Sequence, residues 1–235
     1  MKWGLAGPQG WLAQGVVPNA EIGTLALREW QNVPRPRRAL GVNASGEPAR
    51  VRTEAQLTRW RVPMEWIVPG ERGGGVVNRY DDPAALCPAR WSSLVGARRR
   101  ALASEAHPPP CVVVNAGTLI TIDALDASGV FHGGLALPGL HMMLRTLADA
   151  SPMWRTGPGR WRDFPAANAD AATTGVLAAA TGAIGEMRAR VRRGDEPVRC
   201  YLAGGAAHEL ALHLAAPVEV VDNLVLEGAL ALGNG

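Results

Sequence analysis

Only three cysteines occur in the 235 residues, Cys87, Cys111 and Cys200, and they lie far apart. An odd, scattered set argues against a disulfide framework and for a reducing compartment. No metal-ligand spacing joins them. No stretch of about 18 uninterrupted apolar residues exists to cross a bilayer, and Met1-Lys2-Trp3-Gly4 is not followed by the long apolar region of a signal peptide. A soluble cytoplasmic protein with no membrane partner is expected. Lysine is almost absent: every cationic residue except Lys2 is arginine, clustered at 35–38, 98–100 and 188–193. These clusters lack interleaved aromatic residues and are offset by 21 acidic residues, so no nucleic-acid partner is expected. With 47% apolar residues, disorder is excluded as well.

What is present is clearest from Cys111 to Met143. An apolar, β-branched run from Cys111 to Val114 breaks at Asn115-Ala116-Gly117-Thr118 and resumes through Leu119, Ile120 and Ile122, the pattern of two strands meeting at a tight turn. Gly117 lets the backbone approach a ligand, and Thr118 sets a hydroxyl beside exposed amides, an arrangement suited to phosphate oxygens. Asp126 to Gly129 makes a second turn, with Asp126 as its cap, and Gly133-Gly134 and Pro138-Gly139 follow. The expected product is a sheet edge with two glycine-opened crevices. Asp123 and Asp126 could reach a magnesium ion bound with phosphate, although turn capping accounts for Asp126.

Elsewhere strand and helix alternate, as in an α/β protein. Lys2 to Ala6 and Trp11 to Ala13 read as a hairpin, Ile22 to Val33 as a short helix, and Arg38 to Asn43 as a buried strand. Thr53 is expected to cap a helix carrying Leu57 and Trp60, with a strand from Glu65 to Pro69. Residues 73–80 read as a flexible loop presenting an amide and a phenol. Helices are expected over 89–106, 140–148, 170–193, 207–215 and 224–232, with strands at 198–202 and 218–221. His107-Pro108-Pro109-Pro110 marks a domain boundary.

Several of these segments occur in an order that resembles the type III pantothenate kinases. They are Asn115-Ala116-Gly117-Thr118, the glycine-rich run 133–139, Phe164-Pro165 before a small-residue helix, Gly204-Gly205, and Asp222-Asn223 leading into Leu224–Gly228. Residues 75–80 are similar to the family's G-x-x-N-x-Y segment, and 86–91 to its G-x-D-R-W helix start. The resemblance implies two RNase H-like domains of the actin-like ATPase duplication, over residues 1–110 and 111–235, with the first lacking its first strand. It implies phosphoryl transfer from ATP to pantothenate at the start of coenzyme A biosynthesis, magnesium arriving with the nucleotide, and a homodimer.

Position by position, the resemblance places ATP at Lys2, Gly117, Thr118, Gly204 and Gly205. It places pantothenate at Tyr80, Cys87, Pro88, Ala89, Arg90 and Asn168. The family's D-x-G-N-T phosphate loop has no counterpart, since Lys2 matches the basic residue that closes it. Ala89 occupies the position of the aspartate base and Cys87 that of the preceding glycine, so no intact catalytic residue is expected. Asn168 stands where a substrate-contacting threonine does. Asn115 stands where many members have an aspartate holding potassium or ammonium, which argues against a monovalent cation. These departures leave an alternative open, a catalytically impaired paralogue acting as a nucleotide-binding or regulatory accessory protein.

Overall fold

A computed structural model describes residues 1–234 as a mixed α/β protein built on a large mixed sheet. The chain opens with an antiparallel hairpin of β1 (Lys2–Gly7) and β2 (Gly10–Val16). A 3₁₀ turn at Asn19–Thr24 then leads through irregular turns, where a regular helix was expected. Donation from Trp30 to the Leu25 carbonyl, five residues back, breaks the helical repeat there. β3 (Ala39–Gly41) and β4 (Met64–Trp66) form a parallel pair connected by α1 (Glu47–Leu57). That helix starts at Glu47 with Pro48 in its first turn, so Thr53 lies inside it and does not cap it. The Thr53 hydroxyl donates to the Ala49 carbonyl at 2.8 Å instead. Trp3, Ile22, Leu25, Trp30 and Leu57 bury one another in a core belonging to this amino-terminal layer.

The main sheet has seven strands. Its elements in chain order are β5 (Arg72–Gly73), β6 (Val76–Asn78), α2 (Pro88–Ser104), β7 (Cys111–Ala116), β8 (Leu119–Leu125), β9 (Val130–Pro138), α3 (Leu140–Ala150), α4 (Asn168–Val191), β10 (Arg199–Ala203), α5 (Ala207–Ala211), β11 (Val218–Val220) and α6 (Leu224–Gly233). The strands run in the spatial order β11-β10-β7-β8-β9-β6-β5. β7, β8 and β9 form an antiparallel meander, whereas β10 is parallel to β7 and β11. The segment expected as a flexible loop at 73–80 is the β5–β6 hairpin. Its turn is Gly74-Gly75, both at positive φ as tight hairpins require. α5 ends four residues earlier than expected.

Helices cover both faces, which corrects the expectation that the stretch from Cys111 forms a sheet edge: β7 and β8 lie in the interior. Val112, Val114, Ile120 and Ile122 pack under α4 against Val176, Leu177, Ala180 and Ile184. Val113, Leu125, Phe131 and Tyr201 face the other way, onto Trp91, Leu94 and Val95 of α2 and Leu224 of α6. Strands covered twice are apolar on both faces, which is why Cys111–Val114 shows no alternation. Burial pushes the thiols of Cys111 and Cys200 up to about 12. No helix among the described residues is long and apolar enough to cross a membrane.

α2 and α6 cross at glycines. A methyl group on Gly228 would collide with the Ser92 carbonyl, and one on Gly96 would lie 2.5 Å from the Leu224 carbonyl. Gly228→Ala should therefore lower stability by roughly 1–3 kcal/mol, the usual cost of overpacking, measured by denaturant titration. In native protein at pH 8, a thiol reagent should modify Cys87 alone, with Cys111 and Cys200 reacting only after unfolding.

Candidate functional site

A cleft of about 1150 Å³ separates the amino-terminal layer from the ends of β7 and β10 and from α6. At its floor Asn115 and Ala203 are register partners on the parallel strands β7 and β10, so the cleft opens beyond the carboxyl ends of those strands. Open α/β sheets bind ligands at such places. Beyond β10 the chain turns at Gly204, whose φ is +102°. A side chain there would collide with the Ala116 backbone, whose carbonyl accepts from the Ala206 N–H at 3.1 Å. Glycine thus brings exposed backbone against the end of β7.

Five of the residues expected from the sequence line this one cleft: Lys2, Ala89, Asn115, Gly204 and Gly205. The Lys2 ammonium donates to the Asp222 carbonyl, and the Asn223 amide donates to Gln14 Oε1 at 2.8 Å. Together they tie the β1–β2 hairpin to the entrance of α6. Gly117 and Thr118 form the exposed turn just past Ala116 and do not line the cleft. The Gly139 N–H donates to the Thr118 carbonyl at 2.8 Å, which fixes that turn against the start of α3.

The other expected residues gather at the start of α2. Cys87 precedes the helix, Pro88 occupies its first turn without wasting a donor, and Ala89 presents only a methyl group to the cleft. Arg90 turns onto Asp123 of β8: its Nη2 lies 2.5 Å and its Nε 3.1 Å from Oδ1. The Asp123 side chain is 0% exposed. Burial opposes the charge on each partner, but the ion pair keeps Arg90 protonated, its pKa raised by the Asp123 carboxylate. Burial raises the Asp123 carboxyl and the guanidinium draws it back. Asp123 is therefore Arg90's anchor and is not free for magnesium, contrary to the expectation from sequence.

Arg90 also reaches the Tyr80 hydroxyl at 3.4 Å, with its guanidinium carbon 5.5 Å from the Tyr80 ring centre and 5.9 Å from that of Phe131. The two rings stack at 6.0 Å. Asn78 positions this group. Its side chain accepts from the Tyr80 N–H at 3.0 Å and donates to the Gly70 carbonyl at 3.1 Å, so it is scaffolding and not a ligand amide. Gly134 is the partner that sequence reasoning missed, because a side chain there would strike the Asp123 carboxylate. Its signal was an aspartate inside an apolar strand. Asn168 stands apart: exposed at the start of α4, it donates to the Met153 carbonyl at 3.2 Å and does not line the cleft.

The Asn115 carbonyl oxygen accepts from the Ser93 hydroxyl at 2.8 Å, and its amide nitrogen is buried without a partner. Asn115 thus brings a neutral amide where the resemblance implies an aspartate, and it supplies no negative charge to a monovalent ion. Among the described residues no group of three or more His, Cys, Asp or Glu could hold a metal by itself. Asp126 has the capping role expected of it. Partial burial pushes its carboxyl up, but hydrogen bonds from Ser128, Val130 and His132 prevail and hold it down at about 2.

Asp123→Ala leaves the Arg90 charge without its counter-ion in a largely buried place. Removing one partner of such a pair costs roughly 3–5 kcal/mol. Chemical denaturation should show a loss of that order, and Asp123→Asn a smaller one.

Residues 1–190 match the family profile of type III pantothenate kinase. A type III pantothenate kinase of Leptothrix cholodnii is 41% identical over 243 residues, covering 100% of this chain and 92% of that protein. One of Acidovorax ebreus is 39% identical over 238 residues, covering 99% and 92%. Among solved structures, a Campylobacter jejuni protein described as a Baf family transcriptional activator superposes with a TM-score of 0.58 at 18% identity. It covers 86% of this chain and 84% of its own, a likeness of fold alone.

Proposed function

The chain belongs to the type III pantothenate kinase family, and from that premise we propose that it phosphorylates pantothenate to 4′-phosphopantothenate with ATP, the first step of coenzyme A biosynthesis. The observation that carries this reading is the cleft itself. Lys2, Arg35, Arg37, Arg38 and Arg50 line it; Arg38 and Arg50 are paired with Glu65 and Glu54, so among the described residues the cations without an acidic partner are Lys2, Arg35 and Arg37, against one lining carboxylate, Asp222. Such an excess of positive charge suits a polyphosphate. Tyr80, Arg90 and Asp123 do not line the cleft; α2, which carries Arg90, reaches it through Ala89.

In this reading Gly204 and Gly205 lie beside the adenosine, and Lys2, Gly117 and Thr118 serve the phosphates. Tyr80, Cys87, Pro88, Ala89, Arg90 and Asn168 serve pantothenate. Asp123 fixes Arg90 from one side, leaving its Nη1 directed towards Tyr80 and available to an anionic substrate. Phosphoryl transfer depends mainly on holding the attacking and leaving oxygens in line and on spreading positive charge around the moving group. Ala89 supplies no acceptor, so the substrate hydroxyl loses its proton to water or to a phosphoryl oxygen. Magnesium, when bound with the nucleotide, neutralises phosphate charge, and Asp222 is the one lining carboxylate that could join its shell. The reading needs no monovalent cation.

Two RNase H-like units over 1–110 and 111–235 belong to the same proposal, with β5 and β6 of the first joined to the sheet of the second through β9, as do a cytoplasmic location and a homodimer. Phe164, 95% exposed, and Met153, 71% exposed, are apolar surfaces that a second copy would cover. The accessory-protein alternative gains no support, because the relatives compared are named as the kinase.

Purified protein should release ADP from ATP only when pantothenate is added, and its absence in a coupled assay refutes the activity. Ala89→Asp should raise kcat by roughly 10²-fold or more, the contribution of a positioned general base. Arg90→Ala should lower kcat/KM.

A further inference from the structure

Between the 3₁₀ turn at Pro152–Trp154 and the start of α4 at Asn168 the chain runs without helix or strand. Residues 156–166 make no backbone–backbone hydrogen bond among the described residues. A segment whose amides lack such partners is held by its side-chain contacts alone and opens easily.

Those contacts fall on two elements. On α4, Asp170 Oδ1 accepts from the Arg160 N–H at 2.9 Å, and the Thr174 hydroxyl accepts from the Arg162 N–H at 3.1 Å. The Arg160 carbonyl accepts from the same hydroxyl at 3.4 Å, and Arg162 Nε lies 3.5 Å from Asp170 Oδ2. Gly159 permits this close path, since a side chain there would strike the Ala169 carbonyl. The second element is the turn that follows α5. Trp161, between the two anchored amides, lays its indole on the His213 imidazole, with ring centres 4.5 Å apart and planes 24° from parallel. The His213 N–H donates to the Leu210 carbonyl at 3.0 Å, which fixes the turn that presents the ring. The stacked Trp161 keeps 36% exposure, against 95% for Phe164 three residues on, which stacks on no ring among the described residues.

We infer that Trp161 and His213 form a latch, and that residues 156–166 are a strap that lies closed along the start of α4 while the two rings meet and opens when they part. The latch joins two elements, α4 and the turn after α5, that belong to different stretches of the chain. Opening leaves the core intact, because α4 is packed through Val176, Leu177, Ala180 and Ile184 and the strap contributes nothing to that cluster. The inference is independent of the kinase reading.

The test is hydrogen–deuterium exchange of the full chain at one pH, read by mass spectrometry on a peptide covering residues 156–166. His213→Ala should lower protection of that peptide by roughly threefold to tenfold, the scale of one aromatic pair, and leave β7 and β8 unchanged. Trp161→Ala should do the same. The double variant should be no less protected than either single one, because the second change has no partner left to remove. His213→Phe keeps a ring at the site and should restore protection. A change of less than about twofold in both alanine variants overturns the latch, as do losses that multiply in the double variant, or a phenylalanine variant as poorly protected as the alanine one. If His213→Ala also loosens the sheet, Trp161→Ala, made on the strap itself, gives the deciding comparison.

Discussion

A carboxylate with no exposure to water, set in the middle of a seven-stranded sheet, is the constraint on which the start of α2 and the strands facing it depend. Asp123 can stay charged there only while Arg90 faces it, and Arg90 can do so only while α2 begins where it does. Several neighbours follow from that pair. Gly134 must lack a side chain to leave the carboxylate room, the stacked Tyr80 and Phe131 rings receive the guanidinium on their faces, and Asn78 holds the segment that carries Tyr80. The glycine-opened β9 strand is thus explained from within the sheet.

The cleft answers to a different balance. On the side of β7, Asn115 and Ser93 make a neutral hydrogen-bonded pair, so the floor carries no charge of its own. On the side of the amino-terminal layer, arginines dominate. An asymmetric cleft of this kind attracts polyanions before any specific contact forms.

Much of the architecture was legible in the chain. The doubly covered strands showed as an unbroken apolar run, and α2, α4 and α6 showed as periodic segments within a few residues of their ends. The failures were local and have identifiable reasons. Thr53 has the chemistry of a cap, but Pro48 starts the helix a turn and a half earlier. Gly73 to Gly75 resembles a plain connector, but two adjacent glycines at positive φ make a hairpin turn when strands flank them. The supposed sheet edge lies inside because β10, from the far end of the sequence, adds beside β7.

The order of short motifs along the chain by itself determined which family this protein belongs to, since glycines and polar residues at turns carry their chemistry locally. Strand identity was determined in the same way, by burial on two faces. Only the tertiary structure decided that Asp123 serves Arg90 and not a metal, 33 positions away, and that Lys2 meets the Asp222 carbonyl across 220 positions. Pairing at that range leaves no periodic trace, because a side chain's partner depends on which strands and helices the fold brings together and not on spacing along the chain.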